Sequence, residues 1–315
     1  MLAAVALAAA LTHTRDAYLA DIASFAKLTG RDVAYDYVFR LDADIDALAK
    51  PTPYATSIAT LDNDVVSQLV ARTPRSLATI RGLGETLVRS SGDGTLQPIA
   101  AYVPAGYDPA HPAPLVVFLH GSGGTESQLL SWTEVAHLAD STGSIVIAPY
   151  GRGYQGFRHA AASDVYDALA AAKSAFSIDP RKQYLAGYSM GGFSVFEIGV
   201  AHPSEWAALM CISGGLSNRS DAIAAARDLR GIPLYALTGK NDPVIPTEFA
   251  TRSAGFLSFS GEPVSYYQQP DGTHQLDTLA PIVDQAWSDM HHGVLRQPPP
   301  DAAFDSTPPQ LVSGG

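Results

Sequence analysis

A single cysteine, Cys211, stands in the 315 residues, which excludes an intramolecular disulfide and any multi-cysteine zinc site. It lies in the apolar run AALMCIS, where a thiol reads as a small buried hydrophobe rather than a nucleophile. Basic residues are also scarce, 20 Lys+Arg against 31 Asp+Glu, for a net charge of -11. They are scattered, and without a basic stripe to neutralise phosphates no nucleic-acid partner is expected. No run reaches the roughly 18 uncharged apolar residues that a membrane span requires. No internal repeat at a period of roughly 20 to 50 residues is present, which excludes solenoids and propellers.

What is present is 46% hydrophobic and only 16% charged residues, the composition of a soluble globular chain with a sizeable core. The Ala-rich start, MLAAVALAAALTHTRDAYLADI, has two readings, a secretory signal that lacks its basic leader or the first helix of the fold, so the compartment, cytoplasmic or secreted, stays open. Residues 1–95 read as a mostly helical N-terminal extension, broken at Pro51–Pro53 and at Pro74. From residue 96 short apolar runs (LQPIAAYV, PLVVFLHG, SIVIAPY, QYLAGYS, AALMCISG, IPLYALTG and VSYYQQP) alternate with helical patterns. That alternation predicts an α/β class domain over 96–296, a mainly parallel sheet with helices on both faces. The Pro-rich residues 297–315 have no periodicity and read as a flexible tail.

The chemistry is concentrated in QYLAGYSMGGFSVFEI, residues 183–198. A strand pattern ends at Gly187, Ser189 follows, and Gly191 and Gly192 open an apolar helix. This is G-x-S-x-G in a strand–turn–helix setting, the context of a nucleophile elbow. A serine on so tight a turn projects its hydroxyl, and the flanking glycines allow strand and helix to approach. The N-terminus of the following helix favours negative charge at the same spot.

Three more pieces fit an acyl-transfer site. PLVVFLHGSGG, residues 114–124, is a strand running into a glycine-rich turn whose N–H groups, with that of Met190, can hold an oxyanion. Ser122 is the preferred donor of that turn, although which of its amides serves is open; His120 reads as structural. IPLYALTGKNDPVIP presents Asp242 after a strand, and VSYYQQPDGTHQLD presents His274 after the next. The order Ser189, Asp242, His274 is the one this architecture uses. Asp271 remains an alternative acid, three residues from the histidine.

With HGSGG, GYSMGG, GKNDPVIP and DGTHQ in view, the chain over about residues 96–292 resembles the α/β-hydrolase superfamily. IDPRKQYLAGYSMGGFSVFEIGVAHPSEWAALMCISGG is similar to its esterase branch, which includes carboxylesterase-like, feruloyl and polyhydroxyalkanoate-depolymerase-like esterases and predicted peptidases. The resemblance implies an α/β-hydrolase fold and a serine esterase acting on a small or polymeric ester, with no metal or organic cofactor. It does not reach residues 1–95.

A peptidase related to the prolyl oligopeptidase catalytic domain is the alternative, since amide and ester hydrolysis share this machinery; a silent binding module is a third reading. Trp132, in SWTEVAHLAD, is a candidate pocket residue or a helix core position. Tyr150 opens PYGRGYQG, read as a mobile rim in which the tyrosine touches the acyl group, or as a plain loop. G-x-G-x-x-G in that loop lacks the immediate helix that a dinucleotide site needs, and DADID, residues 42–46, lacks the glycine and glutamate of a calcium loop. The acyl and alcohol groups and the oligomeric state are not legible.

Overall fold

The computed structural model describes residues 6–7, 9–17, 20, 34–50, 52–71 and 73–293. The Ala-rich start falls only partly within them, and the tail expected from residue 297 lies outside. The seven apolar runs all form strands: β2 (Leu96–Val103), β3 (Ala113–Leu119), β4 (Ile145–Pro149), β5 (Ile178–Tyr188), β6 (Ala208–Ile212), β7 (Leu234–Gly239) and β8 (Val264–Gln269). Runs such as APLVVFL in β3 are apolar throughout because both faces of the strand are covered.

The sheet has eight strands, in the order β1-β2-β4-β3-β5-β6-β7-β8. β2 is antiparallel to its two neighbours, and the strands from β4 to β8 run parallel. The additional strand, β1 (Gly82–Arg89), lies within the segment expected to be mostly helical up to residue 95. It pairs with β2 from Gly82↔Val103 to Arg89↔Leu96, so the expected boundary falls inside a hairpin. Pairing in register, with Glu85 and Thr86 buried, makes a strand of GLGETLVR, which carries two glycines and little β propensity of its own.

Helices cover both faces. Leu115, Val117 and Leu119 of β3 pack with α5 (Ala160–Ala175) and α6 (Met190–Ala201), among others. Val116 and Phe118 point the other way, toward α3 (Glu126–Ser131), α4 (Thr133–Thr142) and α9 (Leu276–His292). The alternation along one strand thus feeds two cores. On the first face also lie α7 (Arg219–Asp228) and α8 (Thr247–Phe259).

The N-terminal helices α1 (Ala34–Leu48) and α2 (Ala55–Ala71) pack through Tyr37, Leu41, Val65 and Val66 onto Leu87 of β1. A buried charge cluster secures them. Arg40 of α1 donates to Glu126 of α3, to Asp62 of α2 at 2.5 Å and to Glu85 of β1 at 2.6 Å, all fully buried. One turn on, Asp44 accepts from Thr125 Oγ1, Ser127 Oγ and Gln128 Nε2, each at 2.7 Å. DADID is therefore helical, and its Asp44 holds the chain next to the glycine turn after β3.

Candidate active site

The loops at the carboxyl ends of β3, β5, β7 and β8 converge, as ligand sites do in parallel sheets. Ser189 follows β5 directly and holds φ 54° and ψ −115°, a conformation that costs a non-glycine residue on the order of 1–3 kcal/mol. Its surroundings enforce it: Ser189 N–H donates to Ile212 O and Gly191 N–H to His120 O. A Cβ on Gly187 would stand 2.2 Å from Gly191 O, and one on Gly191 would stand 2.3 Å from Leu119 O, so only glycine permits these approaches.

Ser189 Oγ lies 2.9 Å from His274 Nε2, and His274 Nδ1 lies 2.7 Å from Asp242 Oδ2. The other oxygen of Asp242 accepts from the N–H groups of Val244, at 2.9 Å, and Ile245, at 2.8 Å. Burial pushes the Asp242 carboxyl up, but His274 and those two backbone donors outweigh it and hold the carboxyl below the usual range. The acid and histidine loops are laced together by Lys240 N–H to Gln269 O and Asn241 N–H to Gly272 O, both 2.9 Å. Tyr188 donates its hydroxyl to the His274 carbonyl from beneath. Asp271, the alternative acid, is exposed and makes no contact with the imidazole.

Among the described residues, the N–H groups of Ser122 and Met190 make no hydrogen bond, while Gly124 N–H donates to Gly121 O and Gly191 N–H is occupied as above. Such a pair of free donors can receive an oxyanion. His120 is buried, its ring nitrogens against the carbonyls of Gly121 and Tyr150. That matches its structural reading and fixes the start of the turn.

The candidate pocket residues divide. Trp132 sits between α3 and α4 with its ring lining a cavity of about 510 Å³ over the glycine turn, and its Nε1 donates to Asp277 Oδ1 at 2.6 Å. Tyr150 is only 2% exposed and is not among the residues lining that cavity; its carbonyl meets His120 Nε2. The loop after it is anchored, since Arg152 pairs with Asp164 at 2.6 Å and Asp93 at 2.5 Å. Sequence reasoning missed Tyr54 and Ile58, which line the same cavity from the N-terminal segment. No local motif marks them.

Cys211 lies beside Gly187 in the sheet, buried, and burial pushes its thiol up to about 12, so it offers no second nucleophile. Among the described residues one group could hold a metal, Glu134, His137 and Asp284 on the outer faces of α4 and α9. None of its members belongs to the serine–histidine–aspartate line.

The sequence pattern of the alpha/beta hydrolase family matches residues 116–313. The chain belongs to the alpha/beta hydrolase family. It is 29% identical over 164 residues to a bifunctional acetylxylan esterase/xylanase from Neocallimastix patriciarum, covering 50% of this chain and 23% of that protein. It is 28% identical over 182 residues to feruloyl esterase C from Emericella nidulans, covering 54% of this chain and 65% of that one. The chain thus spans less than two thirds of these relatives. A serine-to-alanine mutant of the feruloyl esterase module from Clostridium thermocellum, complexed with sinapinate, superposes with a TM-score of 0.57 at 16% identity, over 69% of this chain and 90% of that one. At that identity the likeness shows the fold alone, and the fold is the family's. No described helix is long and apolar enough to cross a membrane.

Proposed function

We propose that the chain is a serine hydrolase that cleaves carboxylic esters through an acyl-enzyme. The unbroken line from Ser189 Oγ through His274 to Asp242 carries the reading. His274 Nε2 takes the hydroxyl proton as Oγ attacks the ester carbonyl, and returns it to the departing alcohol; water then repeats the sequence on the acyl-enzyme. Asp242 stays ionised, holds the imidazole in the tautomer with its free lone pair toward Ser189, and offsets the charge of the imidazolium. The N–H groups of Met190 and Ser122 receive the carbonyl oxygen as it becomes an oxyanion. No step calls for a metal or an organic cofactor.

Esters are favoured over peptides because both matched relatives described above are esterases by name. The test is a fluorophosphonate adduct located by mass spectrometry, run beside hydrolysis of p-nitrophenyl esters. An adduct on Ser189 with ester turnover is the expected result. Folded protein that forms no adduct and turns over no ester would refute the mechanism.

A further inference from the structure

The cavity over the glycine turn is built from two stretches of chain that the family match separates. Leu129, Trp132 and Leu276 lie inside the matched residues 116–313, whereas Ala47, Tyr54 and Ile58 lie outside them. The outer wall is fixed at both ends. The buried Arg40 cluster ties α1 and α2 to α3, and the Tyr54 hydroxyl donates at 3.2 Å to the Asp277 oxygen that also accepts from Trp132 Nε1. Asp277 is three residues from His274, so the bridge ties the N-terminal segment to the start of the helix that follows the histidine loop.

A volume of about 510 Å³ lies within the range, on the order of 300–1,000 Å³, of cavities that enclose ring-sized organic ligands. An acetyl group would leave most of it, and its aromatic and aliphatic walls, in contact with water. The glycine turn forms the cavity floor, and that turn carries the Ser122 donor that would face an acyl carbonyl. Ser189, Met190 and His274 are not among the residues lining the cavity, so it adjoins the reacting atoms through Gly121, Ser122 and Tyr188.

We propose that Ala47, Tyr54 and Ile58 form the outer wall of the acyl pocket and select esters of bulky, ring-bearing acids over acetate esters. The assignment rests on the serine-esterase reading. The experiment compares p-nitrophenyl 3-phenylpropanoate with p-nitrophenyl acetate on the full chain, and methyl with p-nitrophenyl 3-phenylpropanoate as the alcohol series. Ala47→Phe fills the cavity from a half-buried helix position, and Tyr54→Ala removes the ring that faces Trp132.

In both variants the phenylpropanoate-to-acetate ratio of kcat/KM is expected to fall about ten-fold or more, since a single methylene in an apolar pocket is already worth roughly 10–200-fold. Fluorophosphonate labelling of Ser189 and an unchanged circular dichroism spectrum establish that each variant is folded; if Ala47→Phe fails this check, Tyr54→Ala decides. An unchanged ratio, an equal loss on every ester, or a shift confined to the alcohol series overturns the assignment. Wild-type protein that hydrolyses no ester at all would instead remove the esterase reading on which it rests.

Discussion

Two polar networks in this molecule are built to opposite plans. The Ser189–His274–Asp242 line sets one carboxylate against one imidazole, gives both oxygens of Asp242 a donor, and leaves the His274 side chain 17% exposed. The Arg40 cluster gathers Asp62, Glu85 and Glu126 around one guanidinium with every side chain at 0% exposure, and Asp44 stands 3.9 Å away. Balanced charge with one open side suits a group that must gain and lose a proton. Excess carboxylate in a closed space suits a lock, because the acids can remain there only by sharing the arginine or keeping protons.

Breaking the first network should abolish chemistry and spare the fold. Ser189→Ala is expected to lower kcat on p-nitrophenyl acetate by roughly 10⁴- to 10⁶-fold, by analogy with other serine triads. Its melting temperature should stay close to the wild type's, because alanine keeps the Cβ and the backbone conformation and removes only a hydroxyl. Substantial residual turnover would mean that another group attacks the ester. Asp242→Asn leaves the shape but not the charge, and a loss of about 10³- to 10⁴-fold in kcat is expected from a misoriented imidazole. Asp271→Asn is the control: if it were the more damaging of the two, the acid role would pass to Asp271 despite its exposure.

Breaking the second network should do the reverse. Arg40→Met removes the common partner and strands buried carboxylates, a change expected to cost about 3–5 kcal/mol. A shift of the urea midpoint at unchanged slope would register it. A variant as stable as the wild type would show that the acids are held by their protons alone. Activity measured well below the unfolding transition should fall far less than in Ser189→Ala, since Arg40 touches no reacting atom.

The two networks also differ in how visible they are in the sequence. Ser189 could be placed because its geometry is local: a turn too tight for any residue but glycine at 187 and 191 leaves a five-residue signature. Asp242 and His274 were reached from chain order, since each follows a strand whose apolar run is legible by itself. Arg40 meets partners 22, 45 and 86 residues away, and no periodicity records such separations. Its cost even conceals a strand. Glu85 and Thr86 look like surface residues in β1, yet they are buried because the cluster and Gln68 need them there. The cavity wall at Tyr54 is hidden for the same reason, being defined by a fold-back of the N-terminal segment. Tyr150 is the converse case: in the sequence it adjoins a glycine-rich loop, while in the fold it is buried beside His120.

The finest distinction between the networks is their response to pH. Burial, reinforced for Asp62 by Asp44 and for Glu85 by Glu126, drives both carboxyls well above their usual values of 3.8 and 4.5, against the pull of Arg40. Burial also raises Glu126, but Arg40 and Glu85 overcome it and hold that carboxyl below 4.5. A raised folded value means that the native state binds protons the unfolded chain has released, so that contribution is complete in acid and is lost as pH rises through the folded value. For Glu126 the sign is opposite: its contribution is present above its unfolded value and is lost as pH falls through the folded one. Glu85→Gln supplies a permanently neutral side chain of the same shape. Its melting temperature relative to wild type should therefore climb as the pH is raised from about 5 to about 9, the wild type alone paying to keep or lose the Glu85 proton. A difference that stays flat or declines over that range would show that Glu85 is ionised in the native cluster, and that Arg40 alone suffices to hold its neighbours charged.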